Sequence, residues 1–113
     1  MKITQRTNGR LAREIFERQA NLCKAFANPV RLEMLDLLGS GEWVVGDMQE
    51  RLGISKANLS QHLAVLKAAG VISTRRQGRH FFCTLAIPEV KQACQLIHNV
   101  LRAQVRKGRT LAI

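Results

Sequence analysis

Apolar positions return at helical intervals along most of this chain, and the first such stretch runs from Arg10 to Ala27. Leu11, Ile15, Leu22 and Phe26 share one face there, with Phe16 and Cys23 beside them, which predicts a helix. Asn28-Pro29 ends it, because the residue before a proline is pushed out of the helical region. Pro29 suits the first turn of a second helix, predicted over Pro29 to Leu38 with Leu32, Leu35 and Leu38 inward. After "GSGE", the stretch "WVVGDMQERLG" reads as a short lead-in at Val44 and Val45 and a short helix from Asp47 to Leu52, stopped at Gly53. Ser55 is a good N-cap for a fourth helix running to about Ala69 and closed by Gly70.

The period then changes. "VISTRR", the turn "QGR" and "HFFCTL" place β-branched and aromatic residues on either side of a glycine, the signature of a hairpin. Pro88 reopens helix, and Val90, Cys94, Ile97 and Leu101 mark one face of a long last element. The predicted fold is mostly α with a small β-hairpin, in the order α-α-α-α-β-β-α. Residues 10–105 form one domain between a flexible polar N-terminus at 1–9 and a basic flexible tail at 106–113.

Within the fourth helix, "KANLSQHLAVLKA", Leu59, Leu63 and Leu66 define the buried direction. The opposite arc carries Ala57, Ser60, Gln61, Ala64 and Ala68, with Lys56 and Lys67 at its margin. Small side chains would let this helix approach the floor of a DNA major groove, where Ser and Gln can exchange hydrogen bonds with base edges. The same residues are also ordinary on any exposed helix. The hairpin tips the balance: "TRRQGRH" puts Arg75, Arg76, Arg79 and His80 around Gly78, and no acidic residue occurs from Val71 to Ala86. A helix-turn-helix succeeded by a basic two-stranded arm is a winged helix, the arm suited to DNA backbone or minor groove. The candidate DNA-contacting set is Ser55, Lys56, Ala57, Asn58, Ser60, Gln61, His62, Arg75, Arg76 and Arg79.

Charge strengthens that reading. The chain of 113 residues has 18 Lys and Arg against 8 Asp and Glu, a net charge of +10. Such an excess suits a polyanion, since cations that neutralise phosphates release condensed counterions, although it also serves solubility. With 46% hydrophobic residues the chain can bury a core unaided, while no apolar run approaches the roughly 18–20 residues of a membrane span. Aromatic residues are 4% and tyrosine is absent, which disfavours a base-stacking platform for single strands. The start "MKITQRTNGR" has no secretory pattern, and three scattered cysteines do not make a disulfide framework, so a cytoplasmic address is expected. No Cys-x-x-Cys and no recognisable catalytic constellation is present, so the chain reads as a non-enzyme. A winged helix that binds nucleic acid without an operator is the rival.

"FANPVRLEMLDLL" and then "GDMQERLGISKANLSQHLAVLKAAGVISTRRQGRHFFCTL" resemble the ArsR/SmtB family of bacterial winged-helix repressors, over roughly Leu22 to Leu101. The resemblance implies a cytoplasmic transcriptional repressor, dimeric through its first and last helices, that leaves its operator when an inducer binds. It places Lys56, Ala57, Ser60 and Gln61 toward the groove, the wing arginines on the backbone, and His62 at the flank of the helix, where packing or phosphate contact is as open to it as base readout. Two-fold symmetry then leads to an inverted-repeat operator in double-stranded DNA.

The family's sensing sites are another matter. Its Cys-x-Cys metal site falls on Val44 and Gly46 of "EWVVGDM", which supply no thiolate. The last-helix metal site finds only Glu89 and His98, and the persulfide-sensing cysteine pair falls on Asp36 and Arg102. No metal site or other cofactor is evident. Cys23 and Cys94 lie on the apolar faces of the first and last helices, either as small buried hydrophobes or as a sensor of oxidant, persulfide or arsenic, with Cys83 a third participant or strand filling. Lys24 and Arg102 are the candidate positive neighbours for a reactive thiolate.

Overall fold

The structure is a computed structural model that describes residues 9–108. Most of the N-terminal stretch 1–9 and of the basic tail 106–113 lies outside the described residues. Within them the chain forms α1 (Gly9–Phe26), α2 (Pro29–Leu38), β1 (Trp43–Val44), α3 (Val45–Leu52), α4 (Lys56–Ala68), β2 (Ile72–Gln77), β3 (His80–Leu85) and α5 (Glu89–Arg106).

Local chemistry sets the boundaries. Asn28 is extended and its side-chain oxygen accepts from the backbone N–H of Val30 at 2.9 Å and of Arg31 at 3.1 Å, so α2 starts where the Asn-Pro pair predicts. The turn between α3 and α4 passes through Gly53 at φ +66°, a left-handed conformation that a side chain disfavours. Ser55 then caps α4, its hydroxyl accepting from the N–H of Asn58 at 3.1 Å. These two features fix the sharp exit and re-entry that make a helix-turn-helix.

The expected hairpin is the larger part of a three-stranded antiparallel sheet ordered β1-β3-β2. Trp43 faces Cys83 and Val44 faces Phe82 across the extra pairing. Two residues are too few to show alternation, so β1 had no pattern of its own; Val44 belongs to it, while Val45 already opens α3.

Met34, Leu35, Leu37, Leu38, Met48, Leu59, Leu66, Val71, Ile72, Cys83 and Val90 form the core. Leu35 and Leu38 point inward as predicted, but Leu32 is 43% exposed. At about 100° per residue, the buried arc of α2 runs from Leu37 through Met34 and Leu38 to Leu35, and Leu32 falls about 60° beyond its edge. α1 and α5 behave differently from the rest. Ile15, Phe16 and Leu22 on α1, and Leu96, Ile97, Val100, Leu101 and Val105 on α5, are exposed in the single chain. Their predicted apolar faces exist, but the subunit does not cover them.

Candidate nucleic-acid interface

Leu59 and Leu66, almost wholly enclosed, seat α4 on the core, with Leu63 half-buried beside them. This leaves Lys56, Ala57, Asn58, Ser60, Gln61 and Ala64 exposed on the outer side, as the leucine spacing requires. Ser55 is exposed too, with its oxygen engaged in the cap. The wing stands next to this surface. Between α3, α4 and the sheet lies a cleft of about 680 Å³, walled by Lys56, Ser60, Ala64 and Lys67 on one side and by Thr74, Arg79 and Phe81 on the other. Residues from three separate sequence segments thus line one concavity, with cations on both walls and one carboxylate, Asp47, among the lining.

The strand register sorts the wing's arginines. Thr74 pairs with Cys83 and Arg76 with Phe81, so with Ile72 and Leu85 they make the inner face, which includes the buried Cys83. Ser73, Arg75 and Gln77 pair with Thr84, Phe82 and His80 on the outer face. Arg76 therefore lies over the Phe81 ring, 5.6 Å from its centroid, and its Nε donates to the carbonyl of Gly78 at 3.2 Å. Gly78, at φ +62°, makes the tip. Arg75 points the other way. Its guanidinium donates to both carboxylate oxygens of Glu42, at 2.8 and 3.2 Å, and stacks 4.3 Å from the centroid of Phe82. Lys56, Lys67, Arg76 and Arg79 form no ion pair among the described residues, where the two pairs are Arg75–Glu42 and Arg18–Glu14.

His62 is half-buried, and its Nδ1 is 3.3 Å from an Arg31 nitrogen. Arg31 also donates to the carbonyls of Ala25 at 2.7 Å and Lys24 at 3.3 Å, at the C-terminal end of α1. His62 thus joins α4 to the α1–α2 corner. Glu42 and Arg31 carry no signal in the sequence because their partners are distant, 33 and 31 positions along the chain, and no local spacing marks such pairs.

The cysteines separate by environment. Cys23 is exposed on α1, Cys94 half-buried on α5, and Cys83 enclosed in the core. Burial pushes the Cys83 thiol up to about 11, only partly opposed by Lys67. Cys94 is also raised, first by burial and then by the Asp36 carboxylate. Both environments favour the protonated thiol over the thiolate that reacts or binds soft metals. Cys94, Asp36, Lys91, His98 and Arg102 line a second cavity, of about 410 Å³, between α2 and α5. Among the described residues no three His, Cys, Asp or Glu side chains converge as a metal site, and no helix is long and apolar enough to cross a membrane.

The family described as "Helix-turn-helix domain" matches residues 26–75, the span from the end of α1 into the wing. The chain is 32% identical over 106 residues to the biofilm growth-associated repressor of Xylella fastidiosa, covering 90% of this chain and 93% of that protein. It superposes on the crystal structure of Rv0081 from Mycobacterium tuberculosis with a TM-score of 0.76 at 30% identity, covering 82% of this chain and 94% of the other. A similar match (TM-score 0.75, 30% identity, 85% and 88% covered) is to the solution structure of a homodimeric winged helix-turn-helix DNA-binding domain, Mb0332 from Mycobacterium bovis, described as a possible ArsR-family transcriptional regulator. With its winged fold and a relative this similar over nearly its whole length, the chain belongs to the ArsR/SmtB-like family of winged helix-turn-helix transcriptional regulators.

Proposed function

We propose that this chain is a sequence-specific repressor that binds double-stranded DNA as a homodimer and leaves it when an inducer binds. The observation that carries this reading is the cleft shared by α4 and the wing, with cations on both walls that form no ion pair among the described residues and the small polar surface of α4 beside it. In this arrangement α4 enters the major groove. Ala57 and Ala64 allow close approach, Ser60 and Gln61 meet base edges, and Ser55, Lys56 and Asn58 sit at the helix start, where phosphate and outer bases are within reach. Arg76 and Arg79 track the backbone from the wing.

The uncovered apolar faces of α1 and α5 support a dimer, because contiguous exposed apolar surface marks an association site. A two-fold pair would set two α4 helices about 34 Å apart and read an inverted repeat. The repressor named in Xylella fastidiosa and the homodimeric domain from Mycobacterium bovis agree with this assignment, which also fits a cytoplasmic protein. A thiol trigger would rest on Cys23 and Cys94, the two that are not enclosed in the core. Cys23→Ser or Cys94→Ser should then abolish release by a thiol reagent, and normal release from both would return them to packing.

Footprinting on duplexes selected from a random pool by the purified protein tests the main reading. Two symmetric protected half-sites, with selectivity over scrambled duplex that persists as salt rises, are expected. Protection of one asymmetric half-site by a monomer, or equal binding to scrambled duplex, would overturn it.

A further inference from the structure

We infer that Arg75 and Glu42 form a positioning pair that sets the angle of the wing, and that Arg75 is not one of the wing's phosphate contacts. This inference rests on the duplex-binding proposal and divides its arginines by task. Three nitrogens of Arg75 are already engaged: Nη2 and Nε on the two oxygens of Glu42, and Nη1 on the side-chain oxygen of Gln77 at 2.6 Å. The Phe82 ring lies against the guanidinium, its centroid 4.3 Å from Cζ. One N–H on each Nη stays free, but swinging the guanidinium out toward a phosphate would break this fork, whereas Arg79, which forms no ion pair among the described residues, would break no such pair.

Position explains what the pair does. β3 lies between β1 and β2, so a bond from Glu42, just before β1, to Arg75 on β2 crosses the outer face from one edge strand toward the other. β1 runs directly into α3, the first helix of the helix-turn-helix. The wing is thereby tied to the frame that carries α4. Six residues of strand make a lever of about 20 Å, so a tilt of about 10° at its base moves the tip by about 3 Å, the length of a hydrogen bond. An exposed ion pair alone contributes little, but a bidentate fork with a stacked ring is the geometry in which such a pair counts.

The experiment measures affinity of the full chain for a selected duplex across a salt series, alongside hydrogen exchange at β2 and β3 amides in the free protein. Arg75→Ala and Glu42→Gln should each weaken binding roughly three- to tenfold, no further when combined, with the salt dependence unchanged and wing exchange faster. Arg75→Lys should not restore affinity, since an ammonium cannot fork or stack as a guanidinium does. Arg79→Ala should instead lower the salt slope by about 0.9 and leave wing exchange alone. A slope lowered by Arg75→Ala and restored by Arg75→Lys, with Glu42→Gln binding as well as wild type, would overturn the inference. So would unchanged wing exchange in both variants. If wild type bound no duplex, the repressor reading would fail while the exchange measurement still decided the role of Arg75.

Discussion

Leu66 on α4 and Ile97 on α5 hold similar places in the apolar repeats of their helices, yet Leu66 is fully enclosed and Ile97 is 61% exposed. The two helices also present opposite remainders. α4 hides its leucines and shows Ala, Ser and Gln, while α5 hides only Val90 fully and shows leucine, isoleucine and valine. One leaves a polar surface flanked by cations, suited to a polyanion. The other leaves an apolar surface, suited to another protein face. An amphipathic repeat therefore announces that something covers a face, without saying whether the cover comes from the same chain.

Substitutions on the two helices should separate these roles. The largest effect is expected from Ile97→Asp, which would put a charge into the proposed dimer face. It should weaken self-association by about 100-fold or more in sedimentation velocity, with the subunit still folded by circular dichroism. A dimer that survives it would move the interface elsewhere. Leu66→Ala should behave in the opposite sense, lowering unfolding free energy by about 2–5 kcal/mol in urea titration while opening no new interface. A loss under about 1 kcal/mol would mean that α4 is not seated as described.

The outer side of α4 gives the next test. Gln61→Ala is expected to reduce discrimination between preferred and altered duplexes by about 1–3 kcal/mol, with little change in affinity for random DNA. Preference left intact by both Gln61→Ala and Ser60→Ala would remove α4 from the groove. The smallest effect concerns Cys83, in the core. Its thiol is raised from an ordinary 9.0 to about 11, so the unfolded chain loses that proton first as pH rises. Its contribution is therefore complete below pH 9 and lost between 9 and 11, about 1 kcal/mol at pH 10. Cys83→Val should lack that part of the alkaline decline, and identical pH profiles would place the thiol in water.

The helices and hairpin were readable because their signals are local. Asn28-Pro29, Gly53-Ile54-Ser55 and the turn around Gly78 each act within a few residues, and the structure breaks the chain at those places. The exposed side of α4 emerged by subtraction once its leucines were assigned inward. Leu32 shows the limit of that reasoning. Its spacing matches Leu35 and Leu38, but α2 packs through an arc centred elsewhere, and the arc depends on which helices surround it.

Which residues turn and cap is thus settled by neighbours along the chain, where steric and hydrogen-bonding preferences act over three or four positions. The different tasks of Arg75, Arg76 and Arg79 were not readable in that way, since three arginines within five positions look alike as charge. Only pairing β2 against β3, with β1 bringing Glu42 alongside, sends Arg75 to one face and Arg76 to the other. Strand register and contacts across 33 positions are products of the whole packed chain, and they decide which wing cation is held by a carboxylate and which are not.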